Sequence, residues 1–153
     1  MGRRTRAREC ALQMLYQWDI GRDPVERVFA GFWQVRTAGD EAREMAERMV
    51  RGAISEIEAV DAEIGAAASH WRIERIAAVE RNVLRLAAWE LLRTPETPSA
   101  VIIDEAVDLA KRFGEAESFA FVNGVLDAIR RSVRSDGTAA PAPLTAGERP
   151  GRS

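Results

Sequence analysis

Residues 73–93, IERIAAVERNVLRLAAWELLR, decide the fold. Ile76, Val79, Val83, Leu84, Leu86, Ala87, Leu91 and Leu92 recur there at helical intervals and cover more than one face. A surface helix confines its apolar residues to one stripe, whereas a helix apolar over a wider arc touches several neighbours. The run therefore predicts a central helix over residues 74–93 with the rest of the chain packed on it. Pro95 and Pro98 close it and open the next element.

Towards the C-terminus, Thr97 reads as an N-cap and Pro98 as a first helical position. Val101, Ile102, Ala106, Leu109, Ala110 and Phe113 form the buried face of that helix, and Gly114 ends it. An acidic turn, 115–117, leads into a helix over 118–133, where Phe119, Val122, Leu126, Ile129 and Val133 keep helical spacing. Gly124 inside it costs about 1 kcal/mol of propensity, which predicts a compensating close helix contact. Asn123 reads as a satisfied core amide. From Ser135 onward SDGTAAPAPLTAGERPGRS holds three of the six prolines and little to bury, so a disordered tail, 135–153, follows a single domain, 1–134.

Towards the N-terminus, Trp71 and Ile73 read as a packed connector beside a loop carrying His70. Gly39-Asp40 opens a helix in which Met45, Met49, Gly52, Ala53, Ile57, Val60 and Ile64 continue one stripe for about six turns. Asp23-Pro24-Val25-Glu26 has the pattern of an N-cap, a first-turn proline and a capping box. Val25, Val28, Phe29 and Phe32 give that short helix its apolar side. A first helix spans 3–19 with Gly21 as its stop. Nothing alternates as a half-buried strand would, so the fold class is all-α, with helices grouped roughly as 3–65 and 70–134.

The first helix carries the chemistry. In RRTRARECALQMLYQW, residues 3–18, Arg3, Arg4, Arg6 and Arg8 stand against the single acid Glu9. The chain as a whole has a net charge of -2, so this positive charge is concentrated. Ala7, Ala11, Met14, Leu15 and Trp18 form an apolar stripe, flanked by Arg3, Arg6, Gln13, Tyr16 and Gln17. Guanidinium donors beside an aromatic ring suit RNA, because arginine binds phosphate bidentately and a ring accepts an unstacked base. The plain alternative is a solvated charged face. Arg8 projects almost in line with Leu15, which also suits a packed stem and a paired head.

Length and composition bound the rest. The chain has 153 residues, 46% hydrophobic and 30% charged, in the range of an ordinary single domain. No run approaches the roughly 18 apolar residues of a membrane span, and no signal core follows the basic start, so a cytoplasmic protein is expected. Its acidity, concentrated in residues 40–66, argues against nonspecific DNA coating. Cys10 is alone and reads as a small, partly buried hydrophobe within the first helix. With one histidine, no phosphate-binding loop and no dinucleotide fingerprint, no enzyme, metal or cofactor is expected.

Four stretches in register resemble a bacterial family. RARECALQMLYQW at 6–18, ERNVLRLAAWEL at 80–91, PSAVIIDEAVDLAKRFG at 98–114 and SFAFVNGVLD at 118–127 are similar to the transcription antitermination factor NusB. The resemblance covers roughly residues 3–131. It implies an all-α fold of two packed helical subdomains. It also implies binding to the single-stranded boxA element of ribosomal-RNA leaders, together with the ribosomal protein NusE. Other Nus factors and RNA polymerase are implied as indirect partners in an antitermination complex.

Carried over by position, the resemblance nominates Arg3, Arg4, Arg6 and Arg8 for RNA, with Arg8 shared between RNA contact and structure. Tyr16 falls at the junction of the RNA and NusE surfaces, and Glu80 matches a NusE-contacting glutamate expected near Tyr16. The turn before the last helix nominates Glu117, Ser118 and Phe121, and Lys111 and Arg112 extend the positive surface. Core packing is the alternative for Phe121, and an internal pair with Arg85 or Arg4 the alternative for Glu80. Two other functional readings stay open. One is an RNA-positioning module working with a ribosomal-RNA-modifying enzyme; the other is a purely structural helical partner. Monomer and homodimer both stay open, the latter as an arrangement that would bury the arginine face.

Overall fold

A computed structural model describes residues 2–69 and 71–134; His70 and the 135–153 tail lie outside the described residues. Among the described residues, seven α-helices run in the order α1 (Arg3–Gly21), α2 (Val25–Val35), α3 (Asp40–Ser55), α4 (Ile57–Ala67), α5 (Ala78–Arg93), α6 (Ser99–Phe113) and α7 (Ser118–Val133). A single 3-10 turn, Ile73–Arg75, precedes α5, and no strand occurs among the described residues.

Helix α5 is the expected hub. Every residue from Asn82 to Leu91 is buried, because α1, α3, α4, α6 and α7 all pack on this helix. The two packed groups are α1–α3 and α4–α7, and the division falls at Glu56 instead of residues 65–70. The expected six-turn stripe is broken there: Glu56 leaves helical geometry at φ -117°, ψ 29°, and α4 turns away to place Val60 and Ile64 against α5 and α7. Arg93 holds the break by donating to both Glu56 carboxylate oxygens, at 2.8 and 3.0 Å.

Several local expectations give way to tertiary packing. Helix α1 runs through Gly21, and the residue after it, Arg22, takes the left-handed conformation at φ 59° and lays its guanidinium 4.9 Å over the Trp18 ring. No side-chain cap forms at α2 or α6; Pro24 and Pro98 are the flanking residues, and Glu26 pairs with Arg51 instead of closing a capping box. Val101, Phe113 and Phe119 are exposed, not buried. Trp71 is exposed as well, whereas Ile73 packs against the core. Gly124 faces open space, so no close contact compensates it. The close approach lies at Gly52, where a Cβ would sit 2.3 Å from the Trp89 ring.

Polar side chains lock the helices at buried positions. Asp19, at the end of α1, accepts from Arg81 at 2.8 and 3.0 Å and from Asn82 at 3.0 Å. Arg85 bridges Asp19 to Asp61 of α4. Asn82 is thus the satisfied core amide; Asn123 is exposed. Burial alone would raise the Asp19 carboxyl, but hydrogen bonds from Asn82 and Arg81 and the charges of Arg85 and Arg81 outweigh it and hold it below the ordinary carboxylate range. At the far end, Arg134 donates to the carbonyls of Glu90, Leu91, Thr94 and Thr97, tying the end of α7 to the α5–α6 corner.

Candidate nucleic-acid interface

The four arginines at the start of α1 meet different fates. Arg3 is exposed and pairs with Glu41 at 2.6 Å. Arg4 is exposed and has no ion pair among the described residues. Arg6 donates to the Thr37 carbonyl at 2.8 Å and pairs with Glu9 at 3.3 Å. Arg8 turns inward: it is buried and donates to both Glu90 oxygens, at 2.9 and 2.7 Å. A guanidinium with its fork filled and its surface covered has nothing to offer a phosphate, so Arg8 belongs to the structure and not to the surface. The apolar seam that carries Ala7, Ala11 and Leu15 into the core carries Arg8 with it.

Glu9 joins this patch to a distant part of the chain. One of its oxygens pairs with Arg6, and the other accepts from Arg112, at the end of α6, at 2.9 Å. Lys111 lies 4.9 Å over the Phe119 ring, and Arg112 lies 4.9 Å over that of Phe113. Basic residues near an α6 C-terminus also complement the helix dipole. Along α1, Arg6, Glu9, Gln13 and Tyr16 follow one face; Tyr16 is exposed, and Arg36 donates to Gln13 at 2.8 Å. Cations from α1, from the residue after α2 and from α6 thus share a surface with exposed rings.

The turn between α6 and α7 forms its edge. Glu117 is exposed and holds a left-handed backbone at φ 66° immediately before α7. Ser118 is mostly covered, and its hydroxyl is buried. Phe121, one turn along α7, is half-buried, with its ring 6.4 Å from that of Trp71.

Glu80 sits under this turn, not on the surface. It is buried in the first turn of α5 and accepts the Glu115 backbone N–H at 2.9 Å. Neither expected arginine pairs with it: Arg85 is engaged by Asp61 and Asp19. Gly114 is required for this approach, since a Cβ there would lie 2.3 Å from Glu80 Oε2. Glu80 therefore acts on the interface by pinning the Gly114–Glu115 backbone. The sequence signal was a glycine closing α6 immediately before a nominated turn. The carboxylate that requires the glycine lies 35 residues away from Glu115 and could not be paired with it by spacing.

Comparison with known proteins decides which family the chain belongs to. Residues 5–131 match the sequence model of the NusB family. The chain belongs to the NusB family. The transcription antitermination protein NusB of Sorangium cellulosum is 51% identical over 133 residues, spanning 87% of this chain and 95% of that protein. NusB of Anaeromyxobacter dehalogenans is 48% identical, over 83% of this chain and 89% of its own length. Among solved structures, a complex of the antitermination factors NusB and NusE with double-stranded RNA contains a chain that superposes with a TM-score of 0.79. The two are 32% identical, and the match covers 86% of this chain and 98% of that one. NusB of T. maritima superposes with a TM-score of 0.77 at 35% identity, covering 86% of this chain and 92% of that one. The all-α architecture of two packed helical groups is the fold of the NusB family.

Proposed function

We propose that this NusB-family chain is a non-enzymatic transcription antitermination factor that binds single-stranded, boxA-like RNA of ribosomal-RNA leaders together with NusE. Through that pair it joins other Nus factors on RNA polymerase, in the cytoplasm, with residues 1–134 as the working domain. The observation that carries the RNA reading is Glu9 bridging Arg6 and Arg112, which joins two separate basic segments into one surface beside exposed aromatic rings. Arg3, Arg4, Arg6, Lys111 and Arg112 supply phosphate contacts, which give affinity with little sequence preference. Tyr16, Glu117 and Phe121 supply stacking and base-edge contacts that favour an unpaired strand, and Ser118, whose hydroxyl is buried, shapes the turn that presents them. Tyr16 faces both RNA and NusE. Glu80 supports the same surface from beneath. No helix among the described residues is long and apolar enough to cross a membrane.

Fluorescence anisotropy of a labelled boxA-like RNA tests the reading, with and without NusE, at two salt concentrations and against a scrambled RNA. The expected result is selective, salt-sensitive binding that NusE tightens and Arg4→Glu weakens. Equal binding of scrambled RNA with no effect of NusE would remove the antitermination role.

A further inference from the structure

Trp71 is 54% exposed, more than any other aromatic side chain among the described residues. A large ring left in water in the connector between α4 and α5 is not serving as a core plug. Among the described residues its one aromatic neighbour is Phe121, met edge to face with ring centroids 6.4 Å apart and planes at 72°. Such a contact occupies at most one face of the indole and leaves another open. Phe121 lies one turn along α7 from Glu117 and Ser118, so Trp71, through its contact with Phe121, continues the surface assigned above to RNA. Beside it lies a shallow cavity of about 460 Å³, bordered also by Ser69, Arg72 and Glu74. Arg75 in the same connector is exposed and has no ion pair among the described residues.

We propose that Trp71 is a stacking platform for one further base of the bound single strand, beyond the bases held near Phe121. This rests on the RNA reading of the preceding subsection and lengthens its footprint. Every base presents a π-face, so an indole accepts the next nucleotide whatever its identity. The contact adds affinity without adding sequence preference. Arg75 supplies a positive charge, unpaired among the described residues, in the same connector for the backbone of that nucleotide, while Arg72 is already paired with Glu74 at 3.1 Å.

The test compares two labelled RNAs, a boxA-like core and the same core extended by three nucleotides at either end, bound by wild-type protein, Trp71→Ala, Trp71→Phe and Arg6→Glu. Trp71→Ala is expected to weaken the extended RNA about fivefold or more and to leave the core RNA unchanged. Trp71→Phe keeps most of the affinity, and Arg6→Glu weakens both RNAs. Thermal unfolding of each variant reports on folding; an exposed ring leaves the melting temperature of Trp71→Ala close to wild type. With 5-fluorotryptophan incorporated, the fluorine resonance missing from Trp71→Phe identifies Trp71. It shifts with the extended RNA and stays in place with the core.

If wild type and Trp71→Ala bind the extended RNA equally, the platform is overturned while the RNA-binding role stands. If Trp71→Ala loses NusE binding with RNA affinity intact, the surface contacts protein and the platform is again overturned. Wild-type protein that binds neither RNA overturns the RNA reading itself.

Discussion

Arginines a few positions apart do unrelated work here, and geometry separates them. Arg4 stands in solvent, Arg6 and Arg112 share one acid, and Arg8 is sealed against Glu90. The inward turn of Arg8 was legible, since helical angles place it in line with Leu15. Its partner was not, because Glu90 lies 82 residues away and only packing brings it near. Removing one member of a buried pair leaves the other charged and uncompensated. Arg8→Ala is therefore expected to cost about 3–5 kcal/mol, measured by urea unfolding. Arg8→Ala together with Glu90→Ala should cost less than the sum of the single changes, because no buried charge is then left alone. An Arg8→Ala protein of unaltered stability would contradict the pairing.

Among the elements, α6, α7 and the end of α5 follow the hydrophobic spacing closely, but α5 starts at Ala78 and not at residue 74, because Ile73–Arg75 form a separate 3-10 turn before it. The break at Glu56 does not follow that spacing either. The apolar stripe from Met45 to Ile64 keeps helical phase through it, and what stops the helix is Arg93 and the surface of α5. Two glycines within helices show the same limit. Gly124 suggested a close contact and has none, while Gly52, which looked like one member of a stripe, admits the Trp89 ring. Gly52→Ala is thus expected to lower stability by about 1–3 kcal/mol through overpacking, despite the better helix propensity of alanine. Gly124→Ala is expected to raise it by up to about 1 kcal/mol. Paired thermal melts of the two variants would show shifts of opposite sign.

Across the whole molecule, one contiguous core is fastened by the Asp19–Arg81–Asn82–Arg85–Asp61 network, which ties α1, α4 and α5 together. Asp19 is held below its unfolded range, so the folded state binds fewer protons there than the unfolded chain. Its contribution is complete above the unfolded value of about 3.9 and is lost as pH falls through the folded value. Asp127, beside Arg130 and Arg131, is lowered too and adds an effect of the same sign. Asp19→Asn is expected to be less stable than wild type at pH 7, with the gap narrowing between about pH 5 and pH 3. Urea unfolding across that range measures it; a gap that stays constant would show that the Asp19 charge does not matter. Such a network is invisible to periodicity, since its members read one by one as ordinary helix-surface residues.

Glu9 has a consequence for how an anionic strand arrives. Its carboxylate already occupies the space between Arg6 and Arg112, as a resident counter-anion. A phosphodiester reaching those guanidiniums enters by exchange: it evicts one anion to install another, and the freed carboxylate takes up a cation of its own. The net release of ions is then smaller than the number of arginine–phosphate contacts, so the slope of affinity against salt undercounts them. The same exchange makes the surface selective in a second sense, because a ligand too weakly charged to displace Glu9 finds no vacancy.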